Sequence, residues 1–528
     1  MNDSRVPVLI VGAGAAGLTT AALLAKHGVR SLLVEKRRET FIYPKARNLS
    51  FRSLEILRGL GLADEVHAVA DGVSNMLTKP ALNSTEVRQA FDVDAIFSPF
   101  DGLSPEPSGQ YCPQSALEPM LLAHIRRHDS EVRYGTELCS FERDETGVTA
   151  VVRDLDSGDW ETVRADYLVA ADGVHSPVRD ALGVPTSGHG VLPIYVVFIY
   201  FRGPWRQFAP ELGDGDAIQV DNDDVNGIIL PVRGDFGMLV TTYVPGRGEP
   251  AVQFTSERCR EVLIKAIGEP IDVEVLEATP WQPYERVADQ FRCGRVFLVG
   301  DSAHAMPPLK AGGANCAIQS AHNLAWKLAA VLTGIAGPGL LDTYQAERHP
   351  IGRFSARQSL TGPSLHLLRL ADSGPGLPTD EEAPMFALLI GHQYRSAAVI
   401  SDEPGPADPD AVALVAELHG QPGTRVPHVW VGAQRVSTLD LLGPGFSLLI
   451  GADDARWQRA ASRAATALNV PVAVHAIADV GWARATGLAP EGALLIRPDD
   501  FVGWRADARP TDPEAELQRV LSEILACG

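Results

Sequence analysis

Val6-Pro7-Val8-Leu9-Ile10-Val11-Gly12-Ala13-Gly14-Ala15-Ala16-Gly17 is an apolar run that stops on three glycines spaced Gly-x-Gly-x-x-Gly. The pattern reads as a strand, a tight turn and the start of a helix. Glycines at these places permit the turn, let backbone approach a pyrophosphate, and allow close helix–strand packing. The helix start, at Ala15 and Ala16, presents N–H groups and partial positive charge to the phosphates. Residues 15–27 read as a small-residue helix ending at Gly28, and 29–34 as a second strand closed by Glu35. Glu35 follows Gly17 by 18 positions, where an acidic residue accepts hydrogen bonds from an adenosine ribose and disfavours a 2′-phosphate. Alone, such a stretch is also an ordinary strand–helix turn.

Two further stretches narrow the reading. Ala171-Asp172-Gly173-Val174-His175-Ser176-Pro177-Val178-Arg179 closes a β-rich region at 131–170. Val299-Gly300-Asp301-Ser302-Ala303-His304 follows a short apolar strand and leads into Pro307-Pro308. A carboxylate at the C-terminal end of a strand, as at Asp301, suits the ribityl hydroxyls of a flavin. Pro307 and Pro308 rigidify the next turn. Gly312, Gly313, Ala314 and Asn315 then offer backbone N–H groups to a flavin N1–C2=O region, which becomes anionic on reduction. As a plain structural feature, Asn315 would cap a long helix expected over about 314–333. The three stretches in this order point to FAD.

The rest of the chain bounds the problem. Its 528 residues are 21% charged and 45% broadly apolar, normal for a folded protein of two or three domains. A formal charge of −20 argues against nucleic acid as a partner. No apolar stretch approaches the roughly 20 residues that span a bilayer, and no signal peptide is indicated. The six cysteines form no C-x-x-C pair, which reads as reduced thiols in the cytoplasm and not as a disulfide framework or a zinc site. Residues 51–66 and 115–127 read as helices. Aromatic and β-branched strands at 194–201, 227–232 and 236–244 read as an inserted sheet over the ligand. Pro/Gly/acidic stretches at 373–384 and 401–409 read as a linker before a small α/β tail. The expected fold is therefore α/β: a Rossmann-like FAD-binding part at 1–182 and 283–400, a substrate-binding β-sheet at 183–282, and a tail at 401–528.

Taken together, these motifs resemble the class A FAD-dependent aromatic hydroxylases, the p-hydroxybenzoate hydroxylase type. Further matches are Pro44-Lys45-Ala46-Arg47 with Arg52 and Glu55, and Gln114 with Leu117-Glu118. Asn323-Leu324-Ala325-Trp326-Lys327-Leu328-Ala329 and Tyr344 with Glu347-Arg348 match as well. The tail, with Ser437-Thr438-Leu439-Asp440 and Arg497-Pro498-Asp499 through Trp504-Arg505, is similar to the thioredoxin-like domain of the longer phenol, chlorophenol and aromatic polyketide hydroxylases. Without C-x-x-C it is expected to pack or to join identical copies, not to exchange electrons.

The resemblance implies a monooxygenase that uses NADPH or NADH and O2 to hydroxylate an electron-rich ring through a flavin C4a-hydroperoxide. Its substrate would be a small aromatic: a phenol, hydroxypyridine or polyketide. The implied cofactor-binding residues are Gly12, Gly14, Ala15, Ala16, Gly17, Glu35, Lys36, Lys45, Arg47, Gln114, Asp172, Asp301, Pro308, Gly313, Ala314 and Asn315. Arg47 and Pro307 would lie nearest the flavin; no catalytic side chain and no metal ligand is assigned. Asp172 and Arg179 would serve FAD and nicotinamide together. His304 is expected to be a packed structural histidine. Lys310-Ala311 and Ser320 depart from the family pattern, so the flavin loop is expected to move differently. A flavin oxidase or dehydrogenase on the same scaffold, and a non-catalytic flavin binder, are the alternative readings.

Overall fold

The computed structural model describes residues 2–40, 48–72, 75–107, 110–210, 212–213, 215–244, 254–310, 312–362, 380–402, 408, 410–452 and 454–527. The opening stretch lies in an eight-stranded sheet. Five parallel strands form its spine, side by side: Val296–Leu298, Trp160–Ala170, Asn2–Val11, Ser31–Glu35 and Glu131–Tyr134. Parallel strands covered on both faces read as continuous apolar runs. Val8, Leu9, Ile10, Leu33 and Val169 are accordingly buried completely. The helix Ala15–Lys26 packs against both Gln114–Arg126 and the long helix Gly312–Leu332.

A second, seven-stranded sheet follows. Its order is Glu274–Trp281, Tyr195–Arg202, Phe236–Tyr243, Asn226–Arg233, Ala217–Asp221, Asn75–Lys79 and Gln89–Asp92. Alternation along Tyr195–Arg202 divides its two faces. Val197, Ile199 and Phe201 pack with Cys259, Leu263 and Ile267 of the helix Ser256–Ile267. Val196, Phe198 and Tyr200 pack with Leu309 and Leu360, which belong to the flavin-binding side. Residues 75–92 thus extend a sheet expected from 183–282 alone, because the Asn75–Lys79 strand pairs in parallel with Ala217–Asp221.

The tail holds a four-stranded sheet in the order Val472–Ala476, Phe446–Ile450, Ala493–Ile496 and Val502–Ala506. The first pair is parallel and the other two antiparallel, with helices Ala455–Leu468 and Pro513–Ile524 packed together. This is the thioredoxin-like arrangement.

Motifs far apart in the chain meet where the tail joins the flavin part. Arg52 donates to Glu55 at 2.9 Å and to Asp500 at 3.0 Å, and Arg425 pairs with the other oxygen of Glu55 at 3.1 Å. Lys327 and Arg497 share Glu347. All of these except Asp500 have side chains no more than 2% exposed.

Two expected elements differ. The helix expected over 51–66 is two, Phe51–Gly59 and Ala63–His67, because Gly61 adopts φ +76° and turns the chain between them. The long helix begins at Gly312, two residues before its expected start, so Gly312 and Gly313 lie in its first turn. A Cβ at Gly312 would come within 2.6 Å of Met306 Sδ, so a larger residue there would need the flexible methionine side chain to move aside. Residues 44–47, 311, 373–379, 403–407 and 409, which carry part of the basic motif, the flavin loop and the linkers, lie outside the described residues. No helix among the described residues is long and apolar enough to cross a membrane.

Candidate functional site

The three motifs leave the C-terminal ends of three neighbouring parallel strands. Backbone hydrogen bonds join them: Gly12 N–H to Val34 O at 2.8 Å, Ala171 N–H to Val11 O at 2.8 Å, and Val299 N–H to Ala170 O at 2.9 Å. Gly12 takes φ +103°, and a Cβ there would lie 2.3 Å from Ala171 O. A Cβ on Gly17 would lie 1.9 Å from Gly12 O. At Gly14, by contrast, a Cβ would meet nothing within 4 Å. Gly14 is also the N-cap of Ala15–Lys26, and no side chain caps that helix. The first N–H groups of a helix have no acceptor within it. With no side-chain cap and with room at Gly14, this helix start fits a pyrophosphate.

Glu35 is buried and holds the glycine turn. Its Oε2 accepts from Ala13 N–H at 2.7 Å, and its Oε1 accepts from Arg37 N–H at 2.9 Å and Arg37 Nε at 3.0 Å. Burial pushes its pKa up, but the bonds from Arg37 and Ala13 outweigh that and hold it below the usual carboxylate range. Arg37 was missed from sequence; a base two residues past the acid was its only signal. Lys36 between them is exposed.

The Asp-Gly motif is tied to the Gly-Asp motif through Arg179, which is 2% exposed. Arg179 donates to Ser302 O at 3.1 Å and to Val174 O at 3.1 Å, and Arg286 also donates to Val174 O. Asp172 accepts from Ser176 Oγ at 2.6 Å and Val178 N–H at 3.0 Å. Burial raises its pKa, and these bonds only partly offset it. Ser302 Oγ bonds Ala170 O at 2.7 Å, fastening one motif's strand to the other's. Asp301 is exposed at the end of its strand, Pro307 is buried and Pro308 exposed.

At the head of the long helix Gly313 and Ala314 are half-buried, and Asn315 is buried. Asn315 does not cap the helix. Its Oδ1 accepts from Ser50 N–H at 2.9 Å and Ser53 Oγ at 2.6 Å, and its Nδ2 donates to Asn48 O at 3.1 Å. The earlier start of the helix placed it inside the first turn, where its side chain fastens residues 48–53. Gln114 donates to Glu118 at 2.6 Å from the first residue of its helix. His304 is fully buried, with Nε2 lying 3.3 Å from Ser320 Oγ and 3.6 Å from Cys316 Sγ. Lys45 and Arg47 lie outside the described residues. The uncapped helix, the room at Gly14 and the carboxylate of Asp301 on one cleft together fit FAD.

This fold and cleft define a flavin-dependent aromatic-ring hydroxylase. Residues 5–359 match the FAD binding domain family and residues 419–527 the aromatic-ring hydroxylase C-terminal family. A putative polyketide hydroxylase of Streptomyces halstedii is 39% identical over 99% of this chain and 98% of its own length. The tetracenomycin A2 monooxygenase-dioxygenase of Streptomyces glaucescens is 39% identical over 100% of this chain and 98% of its own length. Among solved structures, aklavinone-11 hydroxylase in complex with FAD and aklavinone superposes with a TM-score of 0.88 at 34% identity, with 100% of both chains covered. The chain belongs to the FAD-dependent aromatic-ring hydroxylases. It is an FAD-dependent monooxygenase with NAD(P)H as electron donor.

Proposed function

We propose that this enzyme places one oxygen atom from O2 on a phenolic ring of an aromatic polyketide. One observation carries the reading. The segment that begins with Asp301 in the cofactor cradle runs through Pro307-Pro308 to Leu309, and Leu309 packs on the aromatic face of Val196, Phe198 and Tyr200. The cradle and the ring-binding platform therefore share one short loop. The names of the relatives, polyketide and aklavinone hydroxylases among them, favour the polyketide class.

In this reading Gly12, Gly14, Ala15, Ala16 and Gly17 hold the pyrophosphate, and Glu35 with Lys36 meets the adenosine end. Lys45, Arg47, Gln114, Asp172, Asp301 and Pro308 complete the FAD contacts. Gly313, Ala314 and Asn315 turn their N–H groups to the reducible ring. When bound, FAD supplies the activation of O2, which reacts poorly with closed-shell rings. The chain's part is to exclude water, hold the ring flat against the platform and favour its phenolate. No side chain is assigned as the base. We divide the chain at 182, 282 and 400 into FAD-binding, ring-binding, FAD-binding and tail parts. The tail serves packing or assembly of identical copies. All six cysteines are unpaired thiols, which supports a cytoplasmic enzyme.

The test is a panel of phenols, hydroxypyridines and hydroxyanthraquinones screened for NAD(P)H consumption under isotopically labelled O2. The expected product carries one labelled oxygen on the ring. Oxidised product without label would replace hydroxylation by a flavin oxidase or dehydrogenase reaction.

A further inference from the structure

On the platform face of the seven-stranded sheet, three polar atoms are shut off from solvent without a hydrogen-bond partner among the described residues. They are Asn226 Oδ1, Thr242 Oγ1 and Trp281 Nε1. They fall in one row. Val196 pairs with Thr242 on one side and with Trp281 on the other. Directly opposed residues of antiparallel strands share a face. Gly227 pairs with Thr241, so Asn226 comes beside Thr242 on the next strand out. The row thus lies on the face of Val196, Phe198 and Tyr200, and the Trp281 ring centre is 5.9 Å from that of Phe198.

Buried polar atoms are almost always satisfied, and one left unpaired costs free energy. Three in line need a reason. The amide of Asn226 is oriented by its neighbour: Nδ2 donates at 3.1 Å to Asp221 Oδ1, a carboxylate oxygen that can only accept. Its Oδ1 is left as an acceptor. Read across the sheet, the row offers an acceptor at Asn226, a hydroxyl at Thr242, the apolar Val196, and a donor at Trp281. Neighbouring strands are about 4.8 Å apart, so the Thr242 and Trp281 backbones are about 10 Å apart and those of Asn226 and Trp281 about 14 Å. A single phenol ring is too short to engage both ends. A fused linear ring system with oxygens along it is long enough.

We propose that Asn226, Thr242 and Trp281 are specificity-determining residues that align a fused polycyclic substrate along this row. Trp281 donates to a carbonyl oxygen at one end, while Thr242 and Asn226 bond a hydroxyl at the other. The proposal rests on the reading above that the platform faces the reacting ring, and it adds the length and polarity of the ligand.

The test uses the FAD-loaded full chain, wild type against Trp281→Phe, Thr242→Val and Thr242→Ser, with 1,8-dihydroxyanthraquinone and catechol as probes. Affinity is read from the perturbation of the flavin spectrum, with flavin content and melting temperature recorded for each variant. Trp281→Phe and Thr242→Val should each weaken anthraquinone binding roughly three- to tenfold, the scale of one buried hydrogen bond, and leave catechol binding unchanged. Thr242→Ser should restore wild-type affinity, which a mere packing role for the threonine would not predict. Anthraquinone affinity equal to wild type in both variants, or loss of both probes in parallel, overturns the row while the hydroxylase reading stands. A wild type that binds catechol but not the anthraquinone overturns it too. A wild type that binds neither probe overturns the aromatic-polyketide reading of the site and the row with it.

Discussion

Arg497 lays two guanidinium nitrogens on the carboxylate of Glu347, 150 positions away, at 2.6 and 2.9 Å. Lys327 reaches the same carboxylate at 2.7 Å, and all three side chains are fully buried. Two cations and one anion would be poorly balanced, but Arg497 also meets Asp499 at 3.0 and 2.5 Å. The tail is therefore fixed to the two long helices of the flavin part by a closed set of charges. Removing one member of such a set strands the others without water. Glu347→Gln should cost about 3–5 kcal/mol in chemical denaturation. Stability equal to wild type would show that the charges are compensated elsewhere.

The glycines of the opening turn should separate by what surrounds them. Gly17→Ala puts a methyl 1.9 Å from a backbone oxygen, and Gly12→Ala 2.3 Å from another at positive φ. Both variants should lose melting temperature as well as flavin. Gly14→Ala has room, so it should melt like the wild-type apoprotein yet retain little FAD. Flavin released on denaturation and thermal melts of the apoproteins distinguish the two behaviours.

Asp301 gives a cleaner separation, because the residue is exposed and a truncated side chain there leaves no buried gap. Asp301→Ala should purify folded and poor in FAD, with a low ratio of flavin to protein absorbance. Full flavin retention would refute the ribityl assignment.

His322 accepts from Arg52 Nη2 at 3.3 Å through Nδ1, since arginine can only donate. Burial first, then Arg52 and Lys26, push its pKa down to about 3, against the opposing pull of Asp500. The folded pKa lies below the unfolded one, so the unfolded chain takes up the extra proton between pH 6.5 and 3. Stability is then complete above about pH 6.5 and falls as the pH drops through that window. For this one group the loss at pH 5 is about 2 kcal/mol. Denaturation midpoints of wild type and His322→Gln at pH 7 and 5 should show a smaller acid loss in the variant.

The turn and strand end that carry the candidate site were legible because their signals are local. Gly12, Gly14 and Gly17 are spaced by the needs of one turn, and Asp301 by the end of one strand. The roles of neighbours were less legible. Arg179 and Arg286 act on Val174 and Ser302 backbone groups brought near by folding, while Arg37 carried only the weak signal of a base two residues past Glu35. Asn315 looked like a cap because helix starts are read from residue types. Gly312 and Gly313 disguised a first turn that Met306 supports from outside.

The sequence by itself determined the cofactor class and the order of the parts, since strand–glycine–helix turns and apolar runs are set by residues that are adjacent in the chain. Only the tertiary structure decided that residues 75–92 join the seven-stranded sheet, that Lys327, Glu347 and Arg497 share one buried cluster, and that Asn226, Thr242 and Trp281 fall in a single row. Each of these depends on register between strands or helices separated by tens to hundreds of residues. Register is fixed by the burial of whole faces at once, which no local spacing records.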